Sequence, residues 1–150
     1  MKAISRRQAF ALGGGFVMLT LMPMAADAEI TNDAAKWIEK FTGGKEATKG
    51  KVALDLPEIA ENGNTVPLTV SVESPMTAES YVKDVMILAD GNPNAGVATL
   101  SFTPLSGKAE AAIRIRLATT QNVIAIAKMS DGALFTDQKT VKVTIGGCGG

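Results

Sequence analysis

The last five residues, Gly146-Gly147-Cys148-Gly149-Gly150, hold the one cysteine of the 150-residue sequence, with two glycines on either side. A thiolate is a nucleophile and can bear a covalent group. Its neighbours have no side chains, so nothing bulky would stop it entering a deep, narrow pocket on another protein. A glycine-rich tail after a final strand reads as a flexible arm. Five residues at about 3.3–3.6 Å each reach at most roughly 17 Å. No Lys, Arg or helix N-terminus adjoins Cys148 in sequence to activate the thiol. These residue types describe a group on which chemistry is done rather than one that does it.

Other chemistries have little to work with. The sequence contains no histidine, which removes Ser-His-Asp and Cys-His nucleophile systems and any imidazole-bound zinc, copper, iron or haem. One cysteine excludes a structural zinc site, an iron–sulfur cluster, a Cys-x-x-Cys pair and a disulfide within the chain. No phosphate-binding or dinucleotide-binding glycine motif is present, and no cofactor is expected. Fifteen basic against fifteen acidic residues argue against a nucleic-acid partner. Asp90-Gly91-Asn92-Pro93-Asn94-Ala95-Gly96 begins like a calcium loop, but its glycine comes one place late and Ser101 stands where the closing Glu belongs, so it reads as a hairpin turn. Arg114 and Arg116 share a strand face and could grip an oxyanion together. The plainer alternative is the solvated face of a half-buried strand.

The amino terminus is an address. Lys2, Arg6 and Arg7 precede an uncharged run over Ala11–Ala25 and a small-x-small triplet, Ala26-Asp27-Ala28. That is the anatomy of a secretory signal, too short to span a bilayer. The Arg6-Arg7 pair suggests the twin-arginine (Tat) route to the periplasm, an ordinary signal with adjacent arginines being the alternative. Residues 1–28 are therefore set aside. Losing Lys2, Arg6, Arg7 and Asp27 from 15 basic and 15 acidic residues leaves 12 and 14, a net of −2. An incidental lone thiol would be a liability in an oxidising compartment, which favours a use for Cys148.

The body that presents the tail spans residues 29–145. Ala34, Trp37, Ile38 and Phe41 fall on one face of a short helix introduced by Thr31-Asn32-Asp33 and ended by Thr42-Gly43-Gly44. On that face Trp37 reads as a packing residue. From residue 50 the period becomes two. Strands are predicted over 51–56, 65–73, 81–89, 97–103, 109–117, 122–129 and 134–145, with turns at Glu61-Asn62-Gly63-Asn64, Asp90–Asn94 and Ser130-Asp131-Gly132. Seven short strands with no helix between them predict an all-β fold, an antiparallel β-sandwich. Pro67 places the start of its strand at an edge or bulge. Val123–Ala127 is apolar on both faces, so its outer face needs a cover: the N-terminal helix or a partner subunit.

The ending Val141–Gly150 resembles that of the SoxY family, the sulfur-carrier subunits of bacterial thiosulfate oxidation. The likeness extends to Glu61–Pro67, Arg114–Ala118 and Thr120–Ala125. The resemblance implies an immunoglobulin-like sandwich paired with a small all-β subunit, SoxZ, which would cover the apolar strand. It implies covalent attachment of sulfur intermediates to Cys148, on an arm made by Gly146, Gly147, Gly149 and Gly150. It further implies service to a cytochrome (SoxAX) that loads thiosulfate, a hydrolase (SoxB) that releases sulfate and, in many systems, a sulfane dehydrogenase (SoxCD). Two other readings stay open: a ubiquitin-like donor activated at its C-terminal Gly-Gly as a thiocarboxylate, and an exported interaction module that dimerises through Cys148.

Overall fold

The computed structural model describes residues 33–147. The signal segment 1–28 and the tip of the tail, Cys148, Gly149 and Gly150, lie outside the described residues. The chain runs through helix α1 (Ala34–Thr42) and strands β1 (Thr48–Lys49), β2 (Val52–Asp55), β3 (Ile59–Asn62), β4 (Val66–Val72), β5 (Val82–Ala89) and β6 (Gly96–Ser101). A 3-10 turn (Pro104–Ser106) leads into β7 (Ala109–Ile115), β8 (Gln121–Met129) and β9 (Leu134–Ile145).

Two sheets pack face to face. One follows the order β1-β9-β8-β5-β6, with β3 also on β9; the other is β2-β4-β7. In β4, Val66, Leu68, Val70 and Val72 all point inward and are buried. They meet Val85, Ile87, Val123, Ala125 and Val141 from the opposite sheet. Along one side the layers are tied by Asp137 of β9, whose carboxylate accepts the backbone N–H of Leu54 in β2 at 3.0 Å. That bond occupies a donor at an edge that would otherwise be open.

All seven predicted strands form, each within two residues at either end. At Pro67, β4 has only β7 beside it, because β2 pairs with Thr69–Val72 alone. The missing N–H therefore sits at a local edge, as proline requires. Two strands were not expected. β1 and β3 both pair with β9 in the parallel sense, over Thr48–Lys49 and Ile59–Asn62, so the sandwich is not purely antiparallel.

The two-faced strand β8 finds its cover within the chain. Val123, Ala125 and Ala127 face the inter-sheet core. On the other side Ile126 joins Met86, Leu88 and Leu134 in a second cluster, against which Trp37, Ile38, Phe41 and Ile124 pack. Helix α1 is thus the lid on this face. The idea that a SoxZ-like subunit covers Val123–Ala127 is corrected: an amphipathic helix of nine residues already occupies the place.

The docking of α1 is fixed at its ends. Gly43 closes it in the left-handed conformation (φ 66°), its N–H reaching the Glu39 carbonyl. Asp33 supplies no side-chain cap. Its carboxylate instead accepts Trp37 Nε1–H at 2.9 Å and the N–H of Ala95 at 3.0 Å, pinning the helix to the β5–β6 turn. The Ala95 bond, chiefly, holds the Asp33 carboxyl below its ordinary value of 3.8, the Trp37 bond adding to it. A depressed folded pKa contributes stability above the unfolded value that is lost as pH falls through the folded one. Trp37 is the sole tryptophan. Its emission should therefore shift red as pH drops below about 3.8, and Asp33→Asn should remove that part of the acid titration. Identical acid profiles in the two proteins would show that Asp33 does not hold the helix.

Candidate functional site

β9 is longer than its neighbour. Its ladder with β8 ends at the pair Gln121–Val141. Beyond that point β3 takes over on the other side, pairing Ile59 with Lys142, Ala60 with Val143 and Asn62 with Ile145. On the side β8 has vacated, the Thr120 hydroxyl accepts the N–H of Val143 at 3.0 Å.

Past Ile145 the chain does not leave the body at once. Gly63 N–H donates to the Ile145 carbonyl at 2.7 Å, Leu117 N–H to the Gly63 carbonyl at 2.8 Å, and Gly147 N–H to the Leu117 carbonyl at 2.9 Å. These three bonds form a seam at one end of the sandwich, and Gly147 is buried in it. The seam needs glycine for closeness rather than mobility. A Cβ on Gly63 would collide with the Leu117 carbonyl oxygen and stand 2.8 Å from the Gly147 nitrogen. One on Gly146 would collide with the Ala118 carbonyl oxygen, and one on Gly147 would lie 2.9 Å from that of Gly63.

Of the expected five-residue arm, the two described residues lie against the body: Gly147 is buried in the seam, and Gly146, exposed, passes close to the Ala118 carbonyl. Only Cys148, Gly149 and Gly150 follow the seam. Their extended length is roughly 10 Å, against roughly 17 Å for five residues. The sequence could not distinguish these cases, because the missing Cβ permits both a loose chain and a tight backbone contact.

The loop that receives the tail is held from beneath. Leu117 is fully buried, as a plug in the core. On either side of it, Asn92 Nδ2–H donates to the Arg116 carbonyl and Asn92 Oδ1 accepts the N–H of Ala118, both at 2.9 Å. Gln121 Nε2–H donates to the same Asn92 oxygen at 2.9 Å and to the Thr119 carbonyl at 3.0 Å. Gln121 Oε1 accepts Gly91 N–H at 2.7 Å. Asn92 and Gln121 are 2% and 5% exposed. Every buried side-chain N and O among the described residues has a partner, as a low-dielectric site demands.

The Asp90–Gly96 segment is the hairpin turn its spacing suggested. The two Asp90 oxygens take the backbone and side-chain N–H groups of Asn122, each at 2.8 Å, and Asn94 Oδ1 accepts Gly96 N–H. Among the described residues no three His, Cys, Asp or Glu side chains come together as a metal site. Arg114 lies in β7 opposite Pro67, whereas Arg116 lies beyond the strand end beside the seam; both are exposed.

Sequence reasoning missed Gly63, Asn92, Leu117 and Gln121 as parts of this site. A signal was nonetheless present. The segment Glu61–Pro67 and the distant pair Arg114–Ala118 and Thr120–Ala125 are those the fold gathers around Gly146 and Gly147. Gly63→Ala should lower stability by about 1–3 kcal/mol, since the methyl group meets backbone that cannot swing aside. Urea unfolding measures it, and a change under about 0.5 kcal/mol would mean that the seam is open in solution.

A sequence model of the family described as "Sulfur oxidation protein SoxY" matches residues 38–148. Among solved structures, the sulfur carrier protein SoxY from Chlorobium limicola f thiosulfatophilum superposes with a TM-score of 0.63 and 29% identity, over 75% of this chain and 97% of that one. A superoxide reductase (neelaredoxin) from Ignicoccus hospitalis gives 0.56 and 18%, over 63% and 80% of the two chains. The superoxide reductase from Nanoarchaeum equitans gives 0.55 and 12%, over 64% and 100%. The two reductases share the fold alone.

Proposed function

The chain belongs to the SoxY family of sulfur oxidation proteins, and from that premise we propose that it is a sulfur carrier which holds thiosulfate-derived intermediates covalently on Cys148. The observation that carries this reading is the position of the sole cysteine, one residue beyond the glycine seam and within the family match. The seam supports it further. A backbone anchored at Gly147 offers the following residue to a partner with no side chain in the way.

The chemistry follows from a thiolate that is acted upon. Loading joins the Cys148 sulfur to the outer sulfur of thiosulfate, and the two electrons released pass to a cytochrome such as SoxAX. Hydrolysis of the resulting S-thiosulfonate, by a hydrolase such as SoxB, adds one water, releases sulfate and two protons, and leaves a persulfide on Cys148. Oxidation of the persulfide's outer sulfur to a sulfonate consumes three waters and delivers six electrons and six protons to a dehydrogenase such as SoxCD. A second hydrolysis then restores the thiol. The carrier supplies no acid, base or metal to any of these steps. It supplies a tether and a surface.

In this reading the protein works in the periplasm as a pair with a SoxZ-like subunit. The segment Lys2–Ala28 supports export by the twin-arginine route with cleavage near Ala28. Cys148→Ser should fold with an unchanged urea midpoint and abolish thiosulfate-dependent cytochrome reduction when mixed with the other pathway proteins. Undiminished reduction by the variant would reject the carrier role.

A further inference from the structure

We propose that Asn92 is a positioning residue for the carrier arm: through the Arg116–Ala118 loop it clamps Gly147, the residue that precedes Cys148 in the chain. The inference rests on the carrier reading for its purpose, but its geometry stands without it.

Asn92 sits in the β5–β6 turn, far in sequence from the tail, and its side chain makes two hydrogen bonds to one loop and a third to Gln121. One donor goes to the carbonyl before Leu117, and the oxygen takes the N–H after it. Leu117 is thereby held from both sides, while its own side chain is locked in the core. What it presents outward is its peptide: the N–H to Gly63 and the carbonyl to Gly147. Gln121 braces the same Asn92 oxygen from β8. A turn, a loop and the tail are thus joined in one line: Gln121, Asn92, Leu117, Gly147. A buried amide that satisfies every member of such a line fixes a single geometry. A hydrophobic residue in its place would leave an N–H and a carbonyl without partners.

The consequence is a short, aimed carrier. Cys148 directly follows Gly147 in the chain, so any site that works on its thiol must come within roughly 7 Å of the seam, one Cα step of about 3.8 Å plus the side chain. The rim of that site then meets the exposed residues around it, Asn64, Thr119 and Thr120 among them.

The test uses the single cysteine of the full mature chain. A nitroxide on Cys148 reports tail motion, and amide exchange at Gly147 reports the clamp. Asn92→Ala should raise Gly147 exchange about tenfold and narrow the nitroxide spectrum. Met86→Ala, under helix α1 on the other side of the sheet, destabilises the fold at a distance and should leave both readouts as in the wild type. Gly146→Ala reaches the seam from the tail side, through the Ala118 carbonyl, and should loosen both in a chain whose Asn92 network is intact. The proposal is overturned if Asn92→Ala leaves both readouts at wild type, whatever Gly146→Ala does, or if Met86→Ala moves them as far. Neither readout needs sulfur cargo, so failure here and failure of the carrier role are separate results.

Discussion

The C-terminal tail leaves this protein through a backbone contact that a single methyl group would forbid. Gly63, Leu117 and Gly147 exchange peptide hydrogen bonds at 2.8 and 2.9 Å, with no Cβ on the two glycines to hold the strands apart. The rest of the architecture can be understood from what this contact requires. β9 must outrun β8 to bring the tail to the end of the sandwich. β3 must lie parallel to it so that Gly63 arrives beside Ile145. Leu117 must be anchored in the core so that its peptide stays where the tail can find it.

The sandwich supplies this platform economically. One core lies between the sheets, and a second, smaller one lies under helix α1. With α1 in place, a body of about one hundred residues buries both faces of its central strand β8. The fold is shared with superoxide reductases of low identity, and a chain without histidine has no imidazole to ligate a metal on it. A shared fold does not fix a shared function, which lives in the sites a chain builds on it.

Most of the body was legible in the sequence because its signals are local. Val66, Leu68, Val70 and Val72 alternate within seven residues and fold as they read. Val123–Ala127 announced a strand with two buried faces, and only the identity of the second cover was open. Ile59–Asn62 was hidden for the opposite reason. It is four residues long, lies between Pro57 and an Asn-Gly turn signal, and pairs with a strand about eighty residues away. Nothing within a short window carries that information. The same holds for Asn92, whose neighbours spell a turn while its partners, Arg116, Ala118 and Gln121, come from elsewhere. The glycines of the tail were visible but ambiguous, since the property that loosens a chain also lets two backbones touch.

In the proposed carrier the body holds Gly147, and the cysteine that would bear the cargo is the next residue of the chain. The most direct test of this account is intact and fragment mass spectrometry of the mature protein from cells oxidising thiosulfate, before and after reductant. The account predicts sulfur-containing additions confined to Cys148 that reductant removes. An unmodified cysteine, or sulfur located on the terminal carboxyl of Gly150, would contradict it.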